Sequence, residues 1–225
     1  MKTEDRPPPA LDAGSQHRSR RRFTTALVSA FAGAALPGVA WAGAQKEEPL
    51  ADSVRGALAA AIANRAPPKP AFENTELRLA FLRWLGEMST RLKKRKSDHT
   101  TRVEFLETVW YESKRAGLDT ALVLGLIQVE SGFRKYAISS AGARGYMQVM
   151  PFWARLIGGG EALRLFHMQT NLRFGCVILR HYLDIERGDL FMALGRYNGS
   201  RGKPDYPRLV FGARKRWEYR QPSAA

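Results

Sequence analysis

One carboxylate, Glu130, sits inside the run ALVLGLIQVESG from Ala121 to Gly132, and the nine residues before it hold no charge. An acid in apolar surroundings is costly unless it is paired or used. Read as a helix, this stretch puts Glu130 near the C-terminal end, where the helix dipole disfavours a negative charge. Leu126 and Ile127 lie one turn back, so partial desolvation acts in the same direction. Both effects raise the pKa, which is the tuning a general acid needs near neutral pH. The competing reading is a surface glutamate paired with Arg134 or Lys135.

Glycosidic cleavage normally uses two carboxylates flanking the scissile bond. From Ser131 to Gly160 there is no Asp or Glu, and Glu161, Asp184, Glu186, Asp189 and Asp205 follow outside any site pattern. If Glu130 cleaves sugars, it is expected to work without a second acid. It would protonate the leaving oxygen, then as a base deprotonate a hydroxyl of the substrate itself, which closes onto the anomeric carbon.

Four ordered blocks bear on this chemistry. ESGF and AISSAGARGYMQVMP supply Glu130, Ser131, Phe133, Ala137, Ser139, Gly142, Ala143, Gly145, Met147, Gln148, Met150 and Pro151. NLRFG runs from Asn171 to Gly175, ALGRYNGS holds Ala193, Leu194, Tyr197 and Asn198, and YPRLV runs from Tyr206 to Val210. Their order and spacing over about residues 75–218 resemble the soluble type of lytic transglycosylase, a family that shares a lysozyme-like catalytic domain with goose-type lysozyme. The resemblance implies a mainly α fold, a lysozyme-like helical domain with a small loop or hairpin element after the catalytic helix. It implies Glu130 as acid and then base, cutting the β-1,4 bond between N-acetylmuramic acid and N-acetylglucosamine to leave a 1,6-anhydro product.

By the same similarity Ser139, Met147, Gln148, Tyr197, Asn198 and Tyr206 line the glycan groove or orient Glu130. Their types suit those roles. Gln148 and Asn198 can bond sugar hydroxyls and N-acetyl groups, Tyr197 can direct its hydroxyl at the carboxylate, and Met147 offers an apolar floor. Arg134-Lys135 stand where the family often has Asn-Pro, Tyr146 replaces a common Leu, and Gly199 replaces Ala after the Tyr-Asn pair. These departures bear on sub-site preference. No cofactor or metal is expected, since the four histidines are scattered. The expected partners are peptidoglycan glycan strands and no nucleic acid, for a monomer with cell-envelope machinery as a further partner.

The elements that must position these residues are helices. Leu77, Phe81, Trp84, Leu85, Met88 and Leu92 recur at helical spacing and run into TRLKKRK, a charge run of the kind that forms a solvated helix end. A second helix shows Val103, Leu106, Val109, Trp110 and Ser113 on one face, with Gly117 at its close. Asp119 is the expected N-cap of the helix from Thr120 to Glu130 or Ser131, and Gly132 its end. The Ser- and Gly-rich stretch 134–151 reads as a structured loop with room for a short hairpin. Further helices are expected near 151–157, 170–186, 189–196 and 206–218.

Before residue 73 the composition changes. SRRRF, then an Ala/Gly-rich apolar segment, then Ala40-Trp41-Ala42 resemble a twin-arginine export signal over residues 1–42. The competing reading, a membrane anchor, is weakened by a short segment interrupted by Pro37. Residues 43–72 read as a flexible linker with an Ala-rich patch able to form a short helix, leaving 73–220 as the catalytic domain. The single cysteine, Cys176, rules out an intramolecular disulfide and is expected to be buried. The net charge of +15 suits an anionic partner, and residues after Ala42 keep 30 basic against 18 acidic side chains. Two rivals stay open: a hydrolase of the goose-type kind using the same glutamate, and a basic envelope-binding module without catalysis.

Overall fold

Side-chain caps set four of the helix starts. Asn74 Oδ1 accepts from the Leu77 amide at 2.9 Å and Asp98 Oδ1 from Thr101 at 2.7 Å. Asp119 Oδ1 accepts from Ala121 at 3.1 Å, and Asp189 Oδ1 from Met192 at 3.0 Å. Each satisfies an amide that the first helical turn leaves without a partner. The computed structural model describes Gln45, Asp52–Ala63 and residues 70–156 and 161–220. The expected signal segment lies outside the described residues.

The helices are α1 (Asp52–Ala63), α2 (Thr75–Leu92), α3 (His99–Arg115), α4 (Thr120–Ser131), α5 (Pro151–Arg155), α6 (Met168–Ile185), α7 (Leu190–Asn198) and α8 (Asp205–Arg214), with a 3₁₀ turn at Ala162–Phe166. The fold is mainly helical. Among the described residues the extended pairings are two isolated bridges, Ile138 with Arg144 and Arg144 with Val149, which pinch the loop between α4 and α5 into a small hairpin-like element.

α4 is the central helix. Ten of its twelve residues are buried, so it is apolar on all sides rather than on one stripe. Its C-cap, Gly132, adopts φ 58°, and the Gly132 amide donates to the Gln128 carbonyl at 3.1 Å. α8 lies along α4. Gly125 allows this approach, because a Cβ there would come within 2.6 Å of the Arg214 backbone nitrogen. α6 packs against α1, α3 and α7, and Cys176 is buried within it as a small hydrophobe.

Three details differ from the sequence reading. Leu77 is 49% exposed, and the inward stripe of α2 is Phe81, Leu85, Met88 and Leu92. The last helix ends at Arg214, although Trp217 beyond it is buried and donates from Nε1 to Gln128 Oε1 at 3.0 Å. The Ala-rich patch within the expected linker forms α1, which packs on α6 and buries Leu58 completely.

The basic run after α2 is not wholly solvated. Lys96 Nζ donates to the Tyr146 hydroxyl at 2.8 Å and lies over the Phe105 and Tyr146 rings. The Arg95 guanidinium covers Phe133. The aromatic faces and the hydroxyl hold these cations against the core. Tyr146, which departs from the family's Leu, thus has its hydroxyl matched by a lysine of this same chain.

Candidate active site

Glu130 is the penultimate residue of α4 and is 5% exposed. Its Oε1 accepts a hydrogen bond from the Tyr206 hydroxyl, carried in the first turn of α8. Its Oε2 is buried and has no hydrogen-bond partner among the described residues. Burial pushes its pKa up to about 8, and the Tyr206 bond opposes that rise without cancelling it. The carboxyl group is therefore mostly protonated at neutral pH. Burial and the adjacent Glu130 raise the Tyr206 phenol well above its ordinary pKa, so it stays a donor.

The surface ion-pair reading of Glu130 does not describe this site. Arg134 donates from Nε to the Ser131 carbonyl at 2.9 Å and is exposed. The expected bond from Tyr197 to the carboxylate is replaced by the one from Tyr206. The Tyr197 hydroxyl donates instead to the Met147 carbonyl at 2.7 Å. That carbonyl lies in a tight turn, and a buried one needs a donor. Tyr197 remains close enough to Glu130 for the carboxylate to raise its own pKa.

The loop after α4 is held by side chains from three directions. Ser131 Oγ donates to the Tyr146 carbonyl at 2.7 Å, tying the end of α4 to the loop. Ser139 Oγ accepts from the Ala143 amide at 3.0 Å and closes the outer turn. Asn171, near the start of α6, serves both sides of the inner turn. Its Oδ1 accepts from the Met147 amide at 2.8 Å, and its Nδ2 faces the Arg144 and Leu165 carbonyls, each at 2.8 Å. Gly145 adopts φ 75°, and a Cβ there would collide with Asn171. A Cβ on Gly175 would meet the Met147 side chain, so the small residue lets the loop settle on α6.

Gln148 adopts φ 48°, an uncommon conformation for a non-glycine residue. Its Nε2 faces the Gly145 carbonyl at 2.9 Å and the Ala137 carbonyl at 3.1 Å. Its amide thus braces the loop. Met147 is fully buried and packs as core, and Asn198 is buried at the end of α7. Ser139 is half-buried on the outer loop. The expected site residues therefore gather around α4, its following loop, and the ends of α7 and α8.

Sequence reasoning missed the bracing by Asn171. It also missed the buried pair of Glu112 and Arg173, joined at 2.9 Å between α3 and α6. Desolvation raises the Glu112 pKa while Arg173 opposes the rise. Among the described residues no group of three or more His, Cys, Asp or Glu side chains comes together as a metal site would require.

Residues 107–219 match the transglycosylase SLT domain, half of the chain, and the protein belongs to that family. It is 40% identical over 83 residues to a membrane-bound lytic murein transglycosylase C of Glaesserella parasuis, covering 33% of this chain and 23% of that protein. It is 33% identical over 104 residues to a transglycosylase of Enterobacteria phage PRD1, covering 46% of this chain and 38% of that one. These relatives are much longer than the stretch they share with this chain. A solved structure of an inactive mutant of the lytic transglycosylase Slt from Pseudomonas aeruginosa aligns over 77% of this chain and 36% of that one, at 19% identity and a TM-score of 0.41.

Proposed function

We propose that this protein is a peptidoglycan lytic transglycosylase acting on the β-1,4 bond between N-acetylmuramic acid and N-acetylglucosamine. The observation that carries the proposal is Glu130, buried, protonated near neutrality and oriented by Tyr206. The Oε2 proton passes to the glycosidic oxygen as the bond to the anomeric carbon breaks. The carboxylate left behind takes the proton of the muramoyl 6-hydroxyl, and that oxygen closes onto the anomeric carbon. Acid and base are one group, and its proton is restored as the 1,6-anhydro ring forms.

In this reading Ser139, Met147, Gln148, Tyr197, Asn198 and Tyr206 shape the groove. Tyr206 orients the acid, and Ser139, Gln148 and Tyr197 hold the loop against which the glycan lies. The same reading places the protein in the periplasm, exported by the twin-arginine-type segment ending near Ala42. The names of the relatives fit a cell-envelope setting. No helix among the described residues is long and apolar enough to cross a membrane.

The deciding experiment is digestion of purified sacculi followed by product mass. Transglycosylation is isomeric with the starting bond and leaves anhydromuramoyl ends, whereas hydrolysis adds one water per cut. Products that all carry the added water would make the protein a hydrolase. No release at all would favour a binding module.

A further inference from the structure

Gln45 lies far upstream of the catalytic helix, yet its side chain is within the site region and only 6% exposed. Trp153 Nε1, on the fully buried indole of α5, donates to Gln45 Oε1 at 2.8 Å. Gln45 Nε2 reaches the Gln148 backbone carbonyl at 3.4 Å, and the amide lies close enough to the Tyr197 hydroxyl to act on its pKa. These partners are 103 and 108 residues away in sequence for Gln148 and Trp153. Two of the three residues, Gln148 and Tyr197, belong to the proposed site.

A buried indole N–H needs an acceptor. Here the acceptor comes from a residue outside the helices that form the site. A glutamine carboxamide offers a carbonyl oxygen and an N–H on one planar group, and so does the acetamido group of an N-acetylated sugar. We infer that Gln45 is an intramolecular occupant of the glycan site, its carboxamide standing where a sugar acetamido group binds between Trp153, Gln148 and Tyr197. The inference rests on the proposed function, since it takes the ligand to be an N-acetylated glycan.

A tethered occupant competes at high effective concentration. Ligand affinity is then lowered by the fraction of molecules in which the site is vacant. Removing the carboxamide should restore that affinity.

The test compares Gln45→Ala with the unaltered protein, both as the full chain. Tri-N-acetylglucosamine binding is measured by calorimetry, the Trp153 indole resonance by NMR, and release of fragments from sacculi in parallel. The expected result is a shifted indole resonance with the ligand bound about 5-fold more tightly by the variant, and faster release. Equal affinity overturns the inference, while continued release from sacculi by both proteins would leave the proposed function standing. Weaker binding together with a lowered melting temperature also overturns it, because Gln45 would then be part of the site's framework. If neither protein binds the trisaccharide or releases fragments, the glycan reading fails and the competition with it.

Discussion

The Tyr206 hydroxyl donates to Oε1 of Glu130 across 76 positions of sequence, leaving Oε2 buried and without a hydrogen-bond partner among the described residues. α8 thus supplies the phenol and α4 the carboxyl group, and the two meet because the helices pack together.

Glu130→Gln keeps the shape and removes proton transfer. General acid–base catalysis contributes about 10²–10⁴-fold, and in the proposed mechanism one group does both steps, so release of anhydromuropeptides should fall by about 10⁴-fold. The stability effect has a defined sign. The folded pKa of about 8 lies above the ordinary 4.5, so the folded state holds the proton more tightly. The stabilising contribution is complete below pH 4.5 and is lost as pH rises through 8. The unaltered protein should lose stability over that window and the Gln variant should not, a difference of roughly 4 kcal/mol by pH 8. Thermal melts of both proteins from pH 5 to 9 check this, and parallel curves would sink it.

Tyr206→Phe removes the one bond that lowers the Glu130 pKa, so that pKa should rise further. Activity that requires the protonated acid should then persist to higher pH. Its maximum should fall about tenfold, as expected for losing an orienting hydrogen bond of roughly 1.4 kcal/mol. A pH–rate profile separates the two effects. An unmoved alkaline limb would show that Glu130 does not set it.

Asn171→Ala should destabilise the fold by roughly 2–5 kcal/mol, because it leaves the Met147 amide and two carbonyls without their side-chain partner. Denaturant unfolding measures the loss. Hydrogen exchange at residues 144–148 should accelerate more than exchange in α2.

Gly125→Ala places a methyl group against the Arg214 backbone. Overpacking of this kind costs about 1–3 kcal/mol. Because it pushes α8 from α4, it should also move Tyr206 from Glu130 and reduce turnover beyond what the stability loss explains. Full specific activity of a folded variant would separate helix packing from acid orientation.

Replacing Arg20 and Arg21 by Lys should hold the precursor in the cytoplasm if the twin-arginine-type segment directs export. Fractionation with an immunoblot reads this directly. Undiminished periplasmic delivery would assign export to another route and leave the enzyme reading intact.

Much of the helical architecture is local and was legible in the sequence. Asp119 and Gly132 bound α4 because a capping carboxylate and a left-handed glycine act on their own turns. Glu130 stood out because an acid follows nine uncharged residues and heads the first of the four ordered motif blocks, although a surface pair with Arg134 or Lys135 remained a competing reading. The charge run after α2 is mostly solvated as its composition suggested, with Lys93, Lys94 and Arg95 exposed, but Lys96 is drawn in by aromatic rings distant in sequence. Periodicity has no access to such partners.

Sequence by itself determined that this chain is a helical member of its family and singled out Glu130 as the candidate acid. These properties follow from local caps, apolar runs and ordered motifs. Only the tertiary structure decided which tyrosine serves that acid. Tyr197 and Tyr206 both follow Glu130 on later helices, and both are buried phenols. The choice depends on which hydroxyl meets the carboxylate once α8 lies on Gly125 and which meets the Met147 carbonyl in the loop. The place of Gln45 beside Trp153 was likewise invisible, because a hydrogen bond across 108 residues depends on where the folded chain returns and on nothing in its neighbours.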